Sequence, residues 1–215
     1  MTDFARLMSD YFVKYLAGQK GSGSNTMKTY RDTFVQLLEF MDEKKHIRAD
    51  CIEVDSFSYD IINEFLEYLE KEKRVSISTR NNRLAAIRSF FKYTGYHEPK
   101  YLNISTSIRE ISKKKTEGRQ MNYLSVNAME HFLNSFDKTD HKELRCFCIV
   151  LLLYESGARV TELCNVRRYD LHLEKPYTMI LHGKGDKIRS VPLDGLVADR
   201  SEERRVGKEC LRLCR

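Results

Sequence analysis

The sequence lacks the features of three common classes of protein. No apolar run in its 215 residues reaches the length of about 20 residues that a transmembrane helix needs. The N-terminus has no basic segment followed by an apolar one, so it predicts no secretion signal. The six cysteines have no spacing typical of a disulfide framework, which indicates reduced thiols. We therefore expect a cytoplasmic protein that does not span a membrane.

The composition is that of a folded protein with a basic surface. A hydrophobic content of 41% is enough for one or two domains with their own cores. The net charge of +6 favours a polyanionic partner without identifying it. Cys146 and Cys148 lie on an apolar segment and are predicted to be core residues, and no metal site is expected.

Apolar residues at helical spacing predict a helical bundle in the first half of the chain. The helices are expected at residues 3–17, from about 25 to 45, at 59–71 and at 78–93, with a fifth at 101–111. Residues 18–25 predict a flexible loop, and either Ser24 or Asn25 is expected to cap the second helix.

The fourth helix has two distinct faces. A buried stripe is predicted from its apolar residues, which are Leu84, Ile87, Phe90 and Phe91. A second face at helical spacing carries Asn81, Ala85, Arg88 and Lys92. This face is either a solvated surface or a DNA-binding surface on which Arg88 and Lys92 contact phosphates and Asn81 reaches a base edge.

Residues 112–121 are basic and contain a glycine, and we interpret them as a linker between two domains. Lys113, Lys114 and Lys115 are either simply solvated or contact a nucleic-acid backbone, where each would add a salt-sensitive interaction.

The second half is predicted to be mixed α and β. Ser125 is expected to cap a helix, and a second helix at 141–155 carries the apolar run 149–153, which predicts burial on most sides. Ser156 and Gly157 end it, and a helical turn at 160–166 would place Glu162 beside Arg159. Strands at 177–181 and 187–193 form a predicted hairpin with Lys184 in its turn. His182 is expected at a strand end, and the glycine–lysine–glycine sequence lacks the context of a P-loop.

Two motifs together, GARVTEL at 157–163 and HGKGDKIRSVPL at 182–193, resemble the tyrosine recombinase (phage integrase) family, most closely its bacterial Xer-like members. The helical bundle that contains the helix at 78–93 resembles that family's core-binding domain. The resemblance implies a mainly α fold, with a SAM-like helical bundle followed by the first part of a mixed α/β catalytic domain that contains a β-hairpin.

The resemblance also implies roles for three residues. Arg159 is the first of two arginines that bind the scissile phosphate, Glu162 supports it, and Lys184 is the general acid for the leaving 5′ hydroxyl. The resemblance further implies a reaction that proceeds through a 3′-phosphotyrosine without a cofactor. The implied partner is double-stranded DNA, bound by a homo-oligomer that forms a tetrameric synapse.

The chain departs from the family pattern after the hairpin. No histidine or tyrosine follows Arg189, so the H-x-x-R box with the second arginine and the nucleophilic tyrosine are absent. Residues 200–215 resemble a translated sequencing adapter, and we expect an artefactual tail without function; a basic amphipathic helix is the alternative. We therefore predict a fragment that binds DNA and does not cleave it. A non-catalytic DNA-binding protein with a recombinase-like fold is the alternative.

The expected organisation has four parts. A core-binding domain at 1–111 is followed by the linker at 112–121, the N-terminal part of a catalytic domain at 122–199 and the tail at 200–215.

Overall fold

A computed structural model of the chain describes residues 2–116, 118, 122–183, 185 and 187–193. The chain separates into two compact units, residues 1–119 and residues 120–215. Within the part that the structure describes, no helix is both long and apolar enough to cross a membrane. The predicted tail at 200–215 lies outside the described residues.

The first unit is a helical bundle. Its elements are α1 (Asp3–Asp10), a π-helix (Tyr11–Gln19), α2 (Ser24–Lys45), α3 (Tyr59–Lys71), α4 (Ile77–His97) and α5 (Leu102–Glu110). The hydroxyls of Ser58 and Ser76 cap α3 and α4 by accepting hydrogen bonds from backbone N–H groups in the first turn. The N-cap of α2 is Gly23, so the predicted cap at Ser24 or Asn25 is wrong: Ser24 is already the first helical residue.

The core of this unit is built around α4. The four residues of its predicted buried stripe are all fully buried, which confirms that prediction. The ring of Phe90 lies edge-on to those of Phe4, Tyr11 and Phe34, at centroid distances of 5.5, 5.4 and 5.3 Å. Each buried phenylalanine contributes about 1.5–3 kcal/mol of hydrophobic stabilisation. Through Phe90, α4 therefore packs against α1, the π-helix and α2.

The first predicted helix changes its hydrogen bonding half-way along. From Tyr11 onward the chain forms a π-helix, whose i→i+5 bonds bring residues five apart onto the same side. Tyr11 and Leu16 are five residues apart and both are fully buried. The Tyr11 hydroxyl donates to Ser89 Oγ at 2.8 Å, so its polar group is satisfied, while burial raises its pKa.

The second unit contains α6 (Val126–Asn134), α7 (His141–Ser156), α8 (Val160–Cys164), β1 (Leu171–His172), β2 (Thr178–His182) and β3 (Ile188–Pro192). Among the described residues the strands form an antiparallel sheet in the order β1-β2-β3. Ser125 caps α6, as predicted, by accepting from the Ala128 N–H at 3.2 Å. The predicted hairpin is present; its first strand begins and ends one residue later than predicted, and its second strand is one residue shorter at each end.

Helix α7 is less buried than its apolar run predicts. Of its residues, all described by the structure, Phe147 and Ser156 are buried, whereas the run 149–153 is half-buried. Cys146 is exposed and Cys148 is half-buried, so the prediction that both are core residues is wrong. The reason is that, within the described part of the chain, one side of α7 packs on the small core formed by Leu163, Met179, Leu181 and Leu193.

Candidate active site

The corner between α7 and α8 is shaped by a glycine. Gly157 follows α7 with φ 56° and ψ 28°, the left-handed conformation that L side chains rarely adopt. Its N–H donates to the Leu153 carbonyl at 3.1 Å and so closes the last turn of α7. The chain then extends, and Arg159 becomes the N-cap of α8.

Glu162 is the buried centre of this corner. Its side chain is 4% exposed, and it accepts two hydrogen bonds from Arg159. The Arg159 backbone N–H donates to Oε2 at 3.1 Å, and Nη1 donates to Oε1 at 2.5 Å. The predicted helical turn therefore does bring the carboxylate beside the guanidinium. Since both Glu162 oxygens face donors, a buried negative charge is compensated at this position.

Arg189, on β3, also binds Glu162, and sequence reasoning missed this contact. Its Nη2 donates to Glu162 Oε2 at 3.0 Å and to the Gly157 carbonyl at 3.1 Å. The backbone N–H of Arg159, its guanidinium and that of Arg189 together lower the pKa of Glu162 to about 2, although burial opposes them. Glu162 is therefore an anion throughout the neutral range. No local signal in the sequence predicts the pair, because 27 residues separate its members.

Gly183 allows the end of the hairpin to lie close to this carboxylate. A Cβ at Gly183 would be 3.2 Å from Glu162 Oε1 and 3.3 Å from the Lys187 carbonyl. The Gly183 N–H donates to that same carbonyl at 2.7 Å and closes the end of the ladder. Lys184, the predicted general acid, lies outside the described residues.

A cleft of about 520 Å³ opens at this corner, and it is lined by Arg159, Glu162, Gly183, Lys187, Ile188 and Arg189. Among the described residues that line it, Arg159, Lys187 and Arg189 are cationic and Glu162 carries the one carboxylate. The Arg159 side chain is 74% exposed, so most of its five N–H donors remain accessible from the solvent. The arrangement is suited to binding a phosphate oxygen, because a planar guanidinium matches phosphate geometry bidentately.

His182 is the last residue of β2, as predicted. Its Nε2 lies 3.2 Å from Oδ1 of Asp170, which is buried and also accepts from the Arg167 N–H at 2.7 Å. His182 thus ties the hairpin to the 3-10 helix Arg168–Asp170 that precedes β1.

The predicted DNA-binding residues of the first unit differ in how far they are engaged within the protein. Asn81 Nδ2 donates to the Lys114 carbonyl at 2.8 Å, and the Lys114 N–H donates back to Oδ1 at 3.1 Å. Arg88 donates to the Arg109 carbonyl near the end of α5. Lys92 is exposed on the same helix. Asn81 would have to release Lys114 before its amide could read a base, so the base contact stays a prediction.

The beginning of the expected linker is held against α3 and α4. Arg80 is buried; its Nε donates to Glu70 Oε1 at 3.0 Å and its Nη1 to the Ser112 carbonyl at 3.3 Å. Lys113, Lys114 and Lys115 are all exposed, and Lys114 Nζ donates to Glu70 Oε2 at 2.7 Å. Arg80 and Glu70 were not identified from the sequence, because an arginine in a helix predicts exposure.

Two family models match the chain. The model described as "Phage integrase, N-terminal SAM-like domain" matches residues 10–99, and that described as "Phage integrase family" matches residues 122–211. The chain belongs to the tyrosine recombinase family. The resemblance inferred from the two sequence motifs is thereby confirmed.

Among curated tyrosine recombinases, XerD of Listeria innocua is 30% identical over 189 residues, which cover 86% of this chain and 59% of that protein. XerC of Staphylococcus aureus is 28% identical over 187 residues, covering 86% of this chain and 58% of that protein. The chain thus spans less than two thirds of the length of these two recombinases.

Solved structures of recombinases share the fold. The XerH site-specific recombinase bound to palindromic difH substrate superposes with a TM-score of 0.64 at 22% identity, covering 92% of this chain and 57% of that one. The Tn1549 transposon integrase in complex with transposon right end DNA gives a TM-score of 0.67 at 18% identity, covering 97% and 67%. The predicted fold class, a SAM-like helical bundle with part of a recombinase catalytic domain, is confirmed.

Proposed function

We propose that this chain is the DNA-binding and phosphate-binding part of a site-specific recombinase that cleaves and rejoins DNA strands through a 3′-phosphotyrosine. The observation that carries the proposal is the corner in which the exposed Arg159 guanidinium is fixed by the buried Glu162 at the edge of a cationic cleft. Family membership supports the same reaction.

The geometry explains what each residue of the corner contributes. Phosphoryl transfer places additional negative charge on the non-bridging oxygens, and a fixed cation stabilises that charge without having to reorganise. Glu162 fixes one N–H of the Arg159 guanidinium and leaves the others for the phosphate. Because the pKa of Glu162 is held at about 2, this support does not vary near neutral pH.

Lys184 is proposed as the general acid that protonates the leaving 5′ oxygen. It lies outside the described residues, so the proposal rests on its place between the two glycines of the family motif. A lysine suits this role because its ammonium sits on a long, flexible stem. The reaction as proposed needs no cofactor, since a tyrosine attacks and cationic side chains stabilise the transition state.

The nucleophile is proposed to lie in sequence that these 215 residues do not contain. No tyrosine follows Tyr177, and no H-x-x-R box follows the hairpin. We therefore propose that the chain binds duplex DNA and forms no covalent intermediate by itself. The complete protein is proposed to act in the cytoplasm as a homo-oligomer with a tetrameric synapse.

Duplex DNA is the proposed partner for two reasons. The related XerH and Tn1549 integrase structures are described as complexes with their DNA. In this chain, Lys92, Lys113 and Lys115 are exposed on the first unit. Contacts of this kind give binding that weakens steeply as salt rises.

The proposal that the catalytic residues lie downstream is tested by reading the gene beyond codon 199. We expect an open reading frame that continues to an H-x-x-R box and a tyrosine near its end. A frame that continues without them would support the alternative, a DNA-binding protein with no strand-cleaving activity.

A further inference from the structure

We propose that Arg189 is a positioning residue of the phosphate-binding corner, which holds Glu162, and through it Arg159, in place against the β-hairpin. The inference rests on the proposed function only in taking phosphate as the ligand of Arg159. It adds a second arginine to the corner, with a role distinct from direct contact with the phosphate.

The contacts of Arg189 join three elements of the second unit. A single guanidinium nitrogen, Nη2, donates to the carboxylate of Glu162 in α8 and to the carbonyl of Gly157 after α7, while its backbone belongs to β3. Charge-assisted hydrogen bonds such as that to Glu162 are among the stronger polar interactions in proteins. Arg189 therefore fixes the hairpin, the glycine turn and the first turn of α8 relative to one another.

The two oxygens of Glu162 have separate functions. Oε1 accepts from the guanidinium of Arg159, whereas Oε2 accepts from the Arg159 backbone N–H and from Arg189. Rotation of the carboxylate would break both sets of bonds together. Arg189 thus adds a second anchor on the side of Glu162 that does not hold the Arg159 side chain.

This anchor matters because the Arg159 side chain has little packing of its own. It is 74% exposed, so its orientation depends on the hydrogen bond to Glu162. An exposed arginine that is free to rotate loses side-chain entropy when it binds a ligand. A carboxylate fixed from behind reduces that loss and favours phosphate binding.

Arg189 also offsets an electrostatic cost of this arrangement. Glu162 orients Arg159, but its negative charge repels the phosphate that Arg159 binds. A second guanidinium on the same carboxylate compensates that charge, and Lys187 adds a further cation at the cleft. Glu162 can therefore act as a support while the cleft remains cationic.

The position of Arg189 is determined by the register of the hairpin. It pairs across the sheet with Leu181, which is fully buried. A shift of one residue would move every side chain of β3 to the opposite face. The buried core under β2 thus sets the place from which Arg189 reaches Glu162.

The test uses the 215-residue chain and its Arg189→Ala and Arg189→Lys variants. Carbon-13 NMR follows the titration of the Glu162 carboxylate, and the side-chain N–H signals of Arg159 follow a titration with inorganic phosphate. The lysine variant keeps the charge and the aliphatic stem, so the same measurements are made on it if the alanine variant does not fold. Arg168→Ala is the matched control, because Arg168 is exposed in the same unit and does not line the cleft.

We expect the pKa of Glu162 to rise in both Arg189 variants, more in alanine than in lysine, and to stay unchanged in the Arg168 control. The affinity for phosphate should fall roughly 3- to 30-fold in Arg189→Ala, which lies within the span of coupling energies between residues of one hydrogen-bonded network. In a Glu162→Gln background, Arg189→Ala should cost little further affinity, because Arg189 acts through Glu162.

Two results would overturn the proposal. An unchanged pKa of Glu162 in a folded Arg189 variant would show that Arg189 does not hold the carboxylate. Fully additive losses of phosphate affinity in the Gln background would make Arg189 a direct ligand of the anion. If phosphate shifts no Arg159 signal in the unaltered chain, the proposed function fails there, and the Glu162 titration still decides the role of Arg189.

Discussion

The carboxylate of Glu162 accepts hydrogen bonds from both the backbone N–H and the guanidinium of Arg159. The same side chain therefore caps the helix that begins at Val160 and orients the arginine that precedes it. Local folding and the geometry of the candidate site therefore depend on one buried residue. Experiments on variants of this corner must distinguish a loss of stability from a loss of DNA cleavage.

Replacement of Arg159 by alanine tests its role as a phosphate ligand. In a complete recombinase carrying this corner, strand cleavage should fall by a factor of about 10² or more, because a preorganised cation is lost from the transition state. Glu162→Gln should cost less, since the amide oxygen can still accept from the guanidinium. Cleavage is measured per folded molecule, with thermal unfolding as the control. Unfolding of Arg159→Ala with activity per folded molecule preserved would make Arg159 a structural residue.

The low pKa of Glu162 predicts a pH-dependent stability. The pKa of this carboxyl is lowered from 4.5 to about 2 on folding, so its contribution is fully present above pH 4.5 and is lost as the pH falls towards 2. Urea unfolding of the chain and of Glu162→Gln is compared at pH values between 5 and 2. We expect the difference in unfolding free energy to shrink as the pH falls. A constant difference would show that Glu162 has no depressed pKa in the folded protein.

The face of α4 that carries Arg88 and Lys92 predicts a salt-dependent contact with DNA. The double variant Arg88→Ala/Lys92→Ala should reduce the slope of log affinity against log salt by roughly 1–2, since each phosphate contact contributes about 0.9. The matched control is Lys44→Ala/Lys71→Ala, because these lysines are already paired with Glu72 and Glu67. An unchanged slope in the Arg88/Lys92 variant would remove this helix from the interface.

Asn81 is predicted to hold the chain at Lys114 rather than to be free on the surface. Asn81→Ala removes the acceptor of the Lys114 N–H, so exchange of that amide with solvent should accelerate about 5-fold, as expected for the loss of roughly 1 kcal/mol. The neighbouring exposed Asn82→Ala is the control. Equal exchange at Lys114 in both variants would contradict the paired hydrogen bonds between Asn81 and Lys114.

Local periodicity predicted the elements whose burial follows from their own sequence. The bounds of α3 and the buried stripe of α4 follow from apolar residues three and four positions apart. The Ser125 cap follows from the preference of a serine hydroxyl for the start of a helix. The contact between Arg159 and Glu162 could also be predicted, because the two residues lie three positions apart in one short motif.

The remaining features depend on contacts between distant segments. Arg189 reaches Glu162 only because the hairpin packs beside α8, and Asn81 reaches Lys114 only because the chain returns along α4 after α5. The exposure of Cys146 was mispredicted because an apolar helix does not reveal how many of its sides find partners. These contacts cannot be predicted from the sequence of one segment, because they form only when distant segments pack together.

A nicked suicide DNA substrate, on which a recombinase becomes trapped as a covalent protein–DNA adduct, separates DNA binding by this chain from strand cleavage. The 215-residue chain, which we propose binds phosphate through Arg159, has no tyrosine after Tyr177. It is predicted to bind the duplex and to give no adduct that survives denaturation. The protein extended through the tyrosine expected downstream of codon 199 is predicted to give one. An adduct on any tyrosine among the first 199 residues, or none from the extended protein, would contradict the proposal that the nucleophile lies downstream of codon 199.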